Sequence, residues 1–522
     1  MASPPPNQSL PDALEQAAAE LHEVLERATS THLHYVRQGA GDRTWARIND
    51  AVSGEIRARR TDVSLYAAGL LVEQLRAEAA DARRRFGDVD MAGQPVLPHP
   101  PSEEPAEVAA WWAGLSEADR DEVILRETPW VGRADGLPVD VRHRANLDVL
   151  HAEIERRSHL LDPESEEPHD QATEEEKRDL RGLLKLRRFF TEEVKGVSVP
   201  VADRRLYLLD ARAYPLRCAF VLGDLEAADN VVVHVPGATT TVDLRLFRES
   251  RWLCALRDEA GRLTDDPTST AVMGWFGYHA PYDIAVRRAL GDSGVKVLVP
   301  GEASDERYAR EAAPTLARCL DGVRTLVGPD TRLVASGHSY GASCLGLALQ
   351  TSTAADALMV AGCPGLFAND LASMHLEPGQ LWAAVAPADV VALLGLFGGD
   401  PLKIPGIKLI SPFARTVSYY AGGRAVLRPA VGHEQYFSPG TTTLYALAAV
   451  AVAMTHLVKT SSRLGLVTVA RFTRPQASEL AAAADAEAPD AEAVDGEAVD
   501  GEAIEGESAA RSTAARSTAA PS

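Results

Sequence analysis

The sequence predicts an α/β protein: a mostly parallel central sheet with helices on both faces, an all-α region before it and a disordered tail after it. Three observations carry that expectation. After Val199, short β-rich runs alternate with helical stretches, as strands joined by helical crossovers must. Ahead of Val199, apolar residues recur at helical spacing, with little strand character between them. Beyond about Gln476, the composition collapses to Ala, Asp, Glu, Gly and Ser, which cannot fill a core.

The elements follow in chain order. Leu14, Ala17, Leu21, Val24, Leu25 and Ala28 share one helical face, and Val63, Ala67, Leu70, Leu71, Leu75 and Phe86 share another. Joined through a Gly-containing loop with Trp45, these two stripes predict a helical hairpin over residues 1–90. A Pro-rich linker spans 91–105. Residues 106–200 form a helical segment, in which Ser116 is an N-cap and Thr173 with Glu176 makes a capping box. The α/β domain covers 201–475. Its strands are expected at Leu206–Leu209, Cys218–Leu222, Val231–Val235, Ala271–Trp275, Lys296–Val299, Arg332–Ala335, Ala357–Ala361, Leu381–Ala386 and Ala425–Val431, and its last helix at Thr441–Lys459. The tail, 476–522, repeats acidic pentads such as Val494–Ala498 and Val499–Ala503, a low-complexity pattern.

Composition narrows the function. Of the net charge of −21, the segment from Ala477 to Ser522 carries 11 acidic and 2 basic residues, or −9, leaving −12 for the rest. A mildly acidic body lacks the basic footprint that phosphate backbones demand, so nucleic acid is not an expected partner. Cys218, Cys254, Cys319, Cys344 and Cys363 form no close-spaced pair and read as buried thiols of a reducing compartment. The apolar run within Leu444–Met454 is too short to span a bilayer, so no stable membrane anchor is expected. The N-terminus has neither a basic start nor an apolar core, so a cytoplasmic location is expected.

The chemistry concentrates at Gly337-His338-Ser339-Tyr340-Gly341, where a β-run enters Gly-x-Ser-x-Gly and a helical pattern leaves it. A serine on such a turn presents its hydroxyl to solvent, and small flanking residues let strand and helix approach closely. A serine hydroxyl needs an adjacent base, and the base needs a carboxylate to orient it. His433, after the last expected strand, suits the base. Asp389, just after Leu381–Ala386, suits the acid, with Asp370 and Asp400 as alternatives; Asp356 precedes its strand. The oxyanion of acyl transfer needs amide donors. Tyr340 supplies one, and the loop His234-Val235-Pro236-Gly237-Ala238-Thr239 supplies the other, from Ala238 with Thr239 next. Trp275, Phe276, Tyr278 and His338 are candidates for the substrate pocket.

The run VVVHVPGATTT, the segment from Gly274 to Pro281, GHSYG, Gly362-Cys363-Pro364-Gly365 and HEQYF at His433 together resemble an actinobacterial α/β-hydrolase family formerly listed as a domain of unknown function. The likeness extends upstream to Trp111-Trp112, Pro138, Arg142 and Asn146, covering about residues 105–460. It implies an α/β-hydrolase fold with Ser339, Asp389 and His433 as a triad, and it implies no particular substrate. Family members more often carry an acid soon after Gly-Tyr and a Ser after the histidine, where this chain has His279 and Glu434.

The expected function is therefore a serine hydrolase acting on a small acyl substrate, chiefly a carboxylic ester and by the same chemistry a thioester or amide, without metal or organic cofactor. The alternatives are a catalytically inactive binding or interaction protein on the same fold, or a type VII secretion-associated protein exported without a signal peptide. The last rests on the hairpin around Trp45, where Ala46-Arg47 replaces the turn glycine of that motif.

Overall fold

The computed structural model describes residues 100, 102–160, 173–281, 286–288, 296–298, 302–389, 391–393, 397–398, 400–419 and 422–461. The expected hairpin at 1–90, residues 91–99 and 101 of the linker, the acidic loop at 162–172 and the tail lie outside the described residues. The chain divides into two compact units, one of residues 1–156 with 206–210, the other of 157–205 with 211–522. This boundary cuts the helical segment expected at 106–200.

In the first unit, α1 (Pro105–Gly114), α2 (Glu117–Arg126), α3 (Thr128–Val131) and the start of α4 (Val139–Leu160) follow one another. Ser116 caps α2 by accepting from the Asp119 amide. The core gathers Val108, Trp112, Val123, Val131, Leu137 and Ala145, with Trp111 and Trp130 packed against it. A buried polar cluster sits beside it. Arg142 Nη1 lies 2.8 Å from Asp135, and its guanidinium stacks 3.6 Å over the Tyr207 ring. Asn146 Nδ2 donates to the carbonyls of Gly132 and Leu206, at 2.8 and 3.1 Å. Arg142 and Asn146, two residues of the upstream resemblance, are thus structural anchors within this unit.

In the second unit, α5 (Glu174–Thr191) opens with the expected capping box, Thr173 and Glu176 satisfying each other's backbone amides. Seven strands then form a sheet in the order β2-β4-β3-β7-β8-β9-β10. They are β2 (Arg217–Leu222), β3 (Asn230–Val235), β4 (Thr270–Phe276), β7 (Arg332–His338), β8 (Ala357–Ala361), β9 (Leu381–Ala384) and β10 (Lys408–Ile410). Strand β1 (Arg204–Asp210) has its last five residues in the first unit, and β5 (Val286–Arg288) pairs antiparallel with β6 (Lys296–Leu298). Only β2 runs antiparallel to its neighbour in this stretch; the pairs from β4 to β10 are parallel. Strands β3, β4, β7, β8 and β9 are buried along nearly their full length, as strands covered on both faces must be.

The crossover helices are α6 (Val242–Thr264) from β3 to β4, α7 (Arg307–Val327) into β7, and α8 (Tyr340–Ala348) from β7 to β8. Because β4 flanks β3 on one side and β7 on the other, the chain reverses direction across the sheet there. That leaves a crevice at the carboxyl ends of β3 and β7, where open α/β sheets bind ligands.

Three expectations are corrected. The strand before His433 is β12 (Arg424–Leu427), which pairs antiparallel with β11 (Arg415–Ser418) in a separate ribbon. β10, a three-residue strand with too little pattern to stand out, extends the main sheet instead. The last helix, α9 (Thr442–Ala451), stops well short of Lys459, because Ala453 turns into a positive-φ conformation (58°) that no helix continues through. Among the described residues, no helix is long and apolar enough to cross a membrane.

Candidate active site

Strand β7 ends at His338 and α8 begins at Tyr340, so Ser339 alone makes the turn. Its backbone sits at φ 52°, ψ −125°, a conformation costing a non-glycine residue about 1–3 kcal/mol. The Ser339 amide is tied to the Ala361 carbonyl of β8 at 2.9 Å. The flanking glycines are required for close approach. A Cβ on Gly341 would lie 2.2 Å from the Val235 carbonyl oxygen, and one on Gly337 would lie 2.5 Å from Ala342 Cα.

Three side chains separated along the sequence meet here. The Ser339 hydroxyl lies 2.8 Å from His433 Nε2. His433 Nδ1 lies 3.0 Å from each Asp389 oxygen. A carboxylate at Nδ1 requires the proton there, leaving Nε2 to accept from the serine. The exposure falls along the chain, with the His433 side chain 17% accessible and that of Asp389 0%. Burial works to raise the Asp389 pKa. The charge of His433 and hydrogen bonds from His433, Tyr436 and the Ala392 amide outweigh it, holding the carboxyl below its ordinary range.

The other acids are committed elsewhere. Asp356 pairs with Arg324 at 2.8 Å and accepts from the Leu333 amide; Asp370 accepts from the Ser373 amide, and Asp400 from that of Leu402.

Tyr340 is the first residue of α8, where a backbone N–H has no intrahelical partner. The loop after β3 also comes close: a Cβ on Gly237 would lie 2.8 Å from Ser339 Cβ, so a side chain there would displace Ser339. The next residue, Ala238, is half-buried at this approach. Thr239 is corrected as a donor, because its amide is spent on the Pro281 carbonyl at 2.8 Å.

The aromatic residues also move from their expected place. Trp275 and Phe276 lie on β4, 0% and 3% exposed, and belong to the core, Phe276 packing near Phe220. Tyr278 is buried too, and its hydroxyl, bonded to the carbonyls of Pro236 and Gly237 at 2.8 and 3.1 Å, buttresses the loop beside Ser339. His338 is buried, and burial with the neighbouring His433 pushes its pKa down to about 4. It therefore stays neutral and donates from Nε2 to the His433 carbonyl at 2.8 Å. Sequence reasoning missed the supporting roles of Tyr278, His338 and Tyr436. For Tyr436 the signal was present, three residues after His433 in HEQYF. Among the described residues, no group of three or more His, Cys, Asp or Glu side chains is placed to hold a metal ion.

Residues 212–398 match the model of a family described as alpha/beta hydrolase, a span that includes Ser339 and Asp389 and stops before His433. An uncharacterized protein of Mycobacterium tuberculosis is 27% identical over 376 residues, covering 67% of this chain and 54% of that protein. A second one is 29% identical over 220 residues, covering 40% of this chain and 76% of that protein. The chain thus spans about half the length of the first curated relatives it matches. Among solved structures, an arylesterase aligns with a TM-score of 0.31 at 10% identity, covering 60% of this chain and 98% of that one. The esterase LipW from Mycobacterium marinum aligns with a TM-score of 0.28 at 12% identity, covering 64% and 94%. With its sheet order, its serine-bearing turn after β7 and the family match over 212–398, the chain has the α/β-hydrolase fold.

Proposed function

We propose that this protein is a serine hydrolase that cleaves carboxylic esters through an acyl-enzyme, with Ser339 as nucleophile, His433 as general base and acid, and Asp389 as the orienting carboxylate. The observation that carries the reading is the unbroken chain from the Ser339 hydroxyl through His433 to Asp389, at 2.8 and 3.0 Å, mounted on a strained turn. Ser339 Oγ attacks the substrate carbonyl carbon while its proton passes to His433 Nε2. The oxygen that gains charge is held by the amides of Tyr340 and Ala238, and each such donor is worth roughly 100–1,000-fold in rate. The intermediate collapses, and His433 returns the proton to the departing alkoxide. A water molecule, deprotonated by His433, then attacks the acyl-enzyme and releases the acid and free Ser339.

Asp389 serves by staying charged. It holds the imidazole in the Nδ1–H tautomer and stabilises the imidazolium that each transfer creates. Thioesters and amides fall within the same chemistry, differing in the leaving group.

Steady-state and burst kinetics on p-nitrophenyl esters of graded chain length test the proposal. The expected result is turnover with a burst of p-nitrophenolate stoichiometric with protein, abolished in Ser339→Ala, with a chain-length preference that reports pocket depth. Equal rates for the wild type and Ser339→Ala would overturn it.

A further inference from the structure

The carboxylate that orients His433 has a second donor besides the imidazole. Tyr436 is 0% exposed, and its hydroxyl hydrogen-bonds to Asp389 Oδ2. The direction of that bond is fixed by a second contact: the Ala386 amide donates to the same hydroxyl at 2.9 Å. With a backbone N–H directed at the oxygen's lone pairs, the hydroxyl hydrogen is left for the carboxylate. Burial and the nearby Asp389 charge raise the Tyr436 pKa well above its usual value, so the phenol keeps its proton through the working range. The Ala392 amide completes the set at Asp389 Oδ1, at 3.2 Å.

We infer that Tyr436 is a positioning residue for this site, holding Asp389 in the rotamer that faces His433 and drawing off part of its charge. The inference rests on the proposed hydrolase reading for its kinetic consequence, and on geometry alone for its effect on His433. A donor on the carboxylate competes with the imidazole for the same negative charge, so it lowers the proton affinity of His433. It also keeps a carboxylate with almost no access to water ionised.

Tyr436→Phe removes one oxygen and keeps the ring. With p-nitrophenyl acetate, kcat/KM is expected to fall about 10-fold, the size of effect typical for a hydrogen bond to a charged group. The acid limb of its pH profile is expected to move to higher pH. The second measurement needs no activity: His433 is titrated by NMR in Ser339→Ala and in Ser339→Ala with Tyr436→Phe. The His433 pKa should rise in the double variant. Tyr445→Phe, a buried tyrosine on α9, controls for loss of a phenol elsewhere and should leave both readouts in place. An unchanged His433 pKa and an unchanged acid limb, with any rate loss matched by loss of folded protein, would overturn the inference. If the wild type hydrolyses no ester while the titration shift appears, the hydrolase reading fails and the role of Tyr436 in orienting the pair stands.

Discussion

Each unit of the molecule buries a carboxylate against a basic side chain, and the two pairs are built to opposite ends. In the first unit, Arg142 and Asp135 are 1% and 8% exposed at the side chain, and the guanidinium is further enclosed by the Gly132 carbonyl and the Tyr207 ring. In the second, Asp389 is equally buried, but its partner His433 is 17% exposed and passes the polarisation on to a hydroxyl. A buried charge whose partners are all structural confers local rigidity. One whose chain of partners ends at a hydroxyl can move a proton. The contrast lies in where the hydrogen-bond network stops, since burial is common to both.

Breaking the second network should have the largest effect. Ser339→Ala should abolish turnover, and Asp389→Asn should lower kcat by roughly 10³–10⁴-fold, because the amide holds His433 in the wrong tautomer. Stopped assays and thermal melts on the same samples check this, and the melts should stay close to wild type for Ser339→Ala. An Asp389→Asn variant with near-normal kcat would remove the carboxylate from the account.

Breaking the first network should cost stability. Arg142→Met leaves Asp135 charged and buried, and should destabilise by about 3–5 kcal/mol in denaturant unfolding. Adding Asp135→Leu should recover part of that loss, since removing both charges is cheaper than orphaning one. A loss that the second change does not relieve would show that packing of the Arg142 stem, not charge, holds this region.

Backbone approach gives a third handle. Gly341→Ala places a methyl 2.2 Å from the Val235 carbonyl oxygen. Strand and helix must separate, so a loss of about 1–3 kcal/mol and of most activity is expected, as for overpacking elsewhere. A variant with wild-type melting and turnover would mean that the turn tolerates a wider spacing.

The smallest effect concerns a charge between the two extremes. Glu249 is 1% exposed; Oε1 accepts from Arg248, and Oε2 has no hydrogen-bond partner among the described residues. Burial raises its pKa from 4.5 to about 7. An acid whose folded pKa exceeds its unfolded one favours the folded state at low pH, and that contribution is lost as pH rises from about 4.5 through 7. Glu249→Gln should therefore be more stable than wild type at pH 8 by roughly 1–3 kcal/mol, with the gain shrinking toward pH 5. A difference independent of pH would rule out titration of Glu249 as its cause.

Much of this was legible in the sequence because it depends on local pattern. Val231–Val235, interrupted only by His234, and Ala357–Ala361 are β-branched or apolar runs, and the structure has strands at both. Gly337 and Gly341 mark the turn because only glycine fits where the structure leaves no room for a methyl. The approach to His433 was misread, because Ala425–Val431 reads as a strand whatever it pairs with. Its first part pairs with Arg415–Ser418, outside the main sheet. Ala238 ranks before Thr239 in the sequence reading, and the Pro281 carbonyl that takes up the Thr239 amide lies 42 residues downstream. Trp275 and Phe276 looked like pocket walls because aromatic residues after a strand do not reveal which face they cover. Tyr436 stands out in sequence only by lying three residues after His433; the Ala386 amide that fixes the direction of its hydroxyl is 50 residues away, beyond any local pattern.

Active-site labelling tests the central claim most directly. The full chain is treated with a fluorophosphonate, digested and mapped by mass spectrometry, alongside Ser339→Ala and His433→Ala. The account predicts one adduct per chain, on Ser339, absent from Ser339→Ala and slowed by orders of magnitude in His433→Ala. A wild-type chain that stays unlabelled, or that labels as readily without the Ser339 hydroxyl, would contradict it.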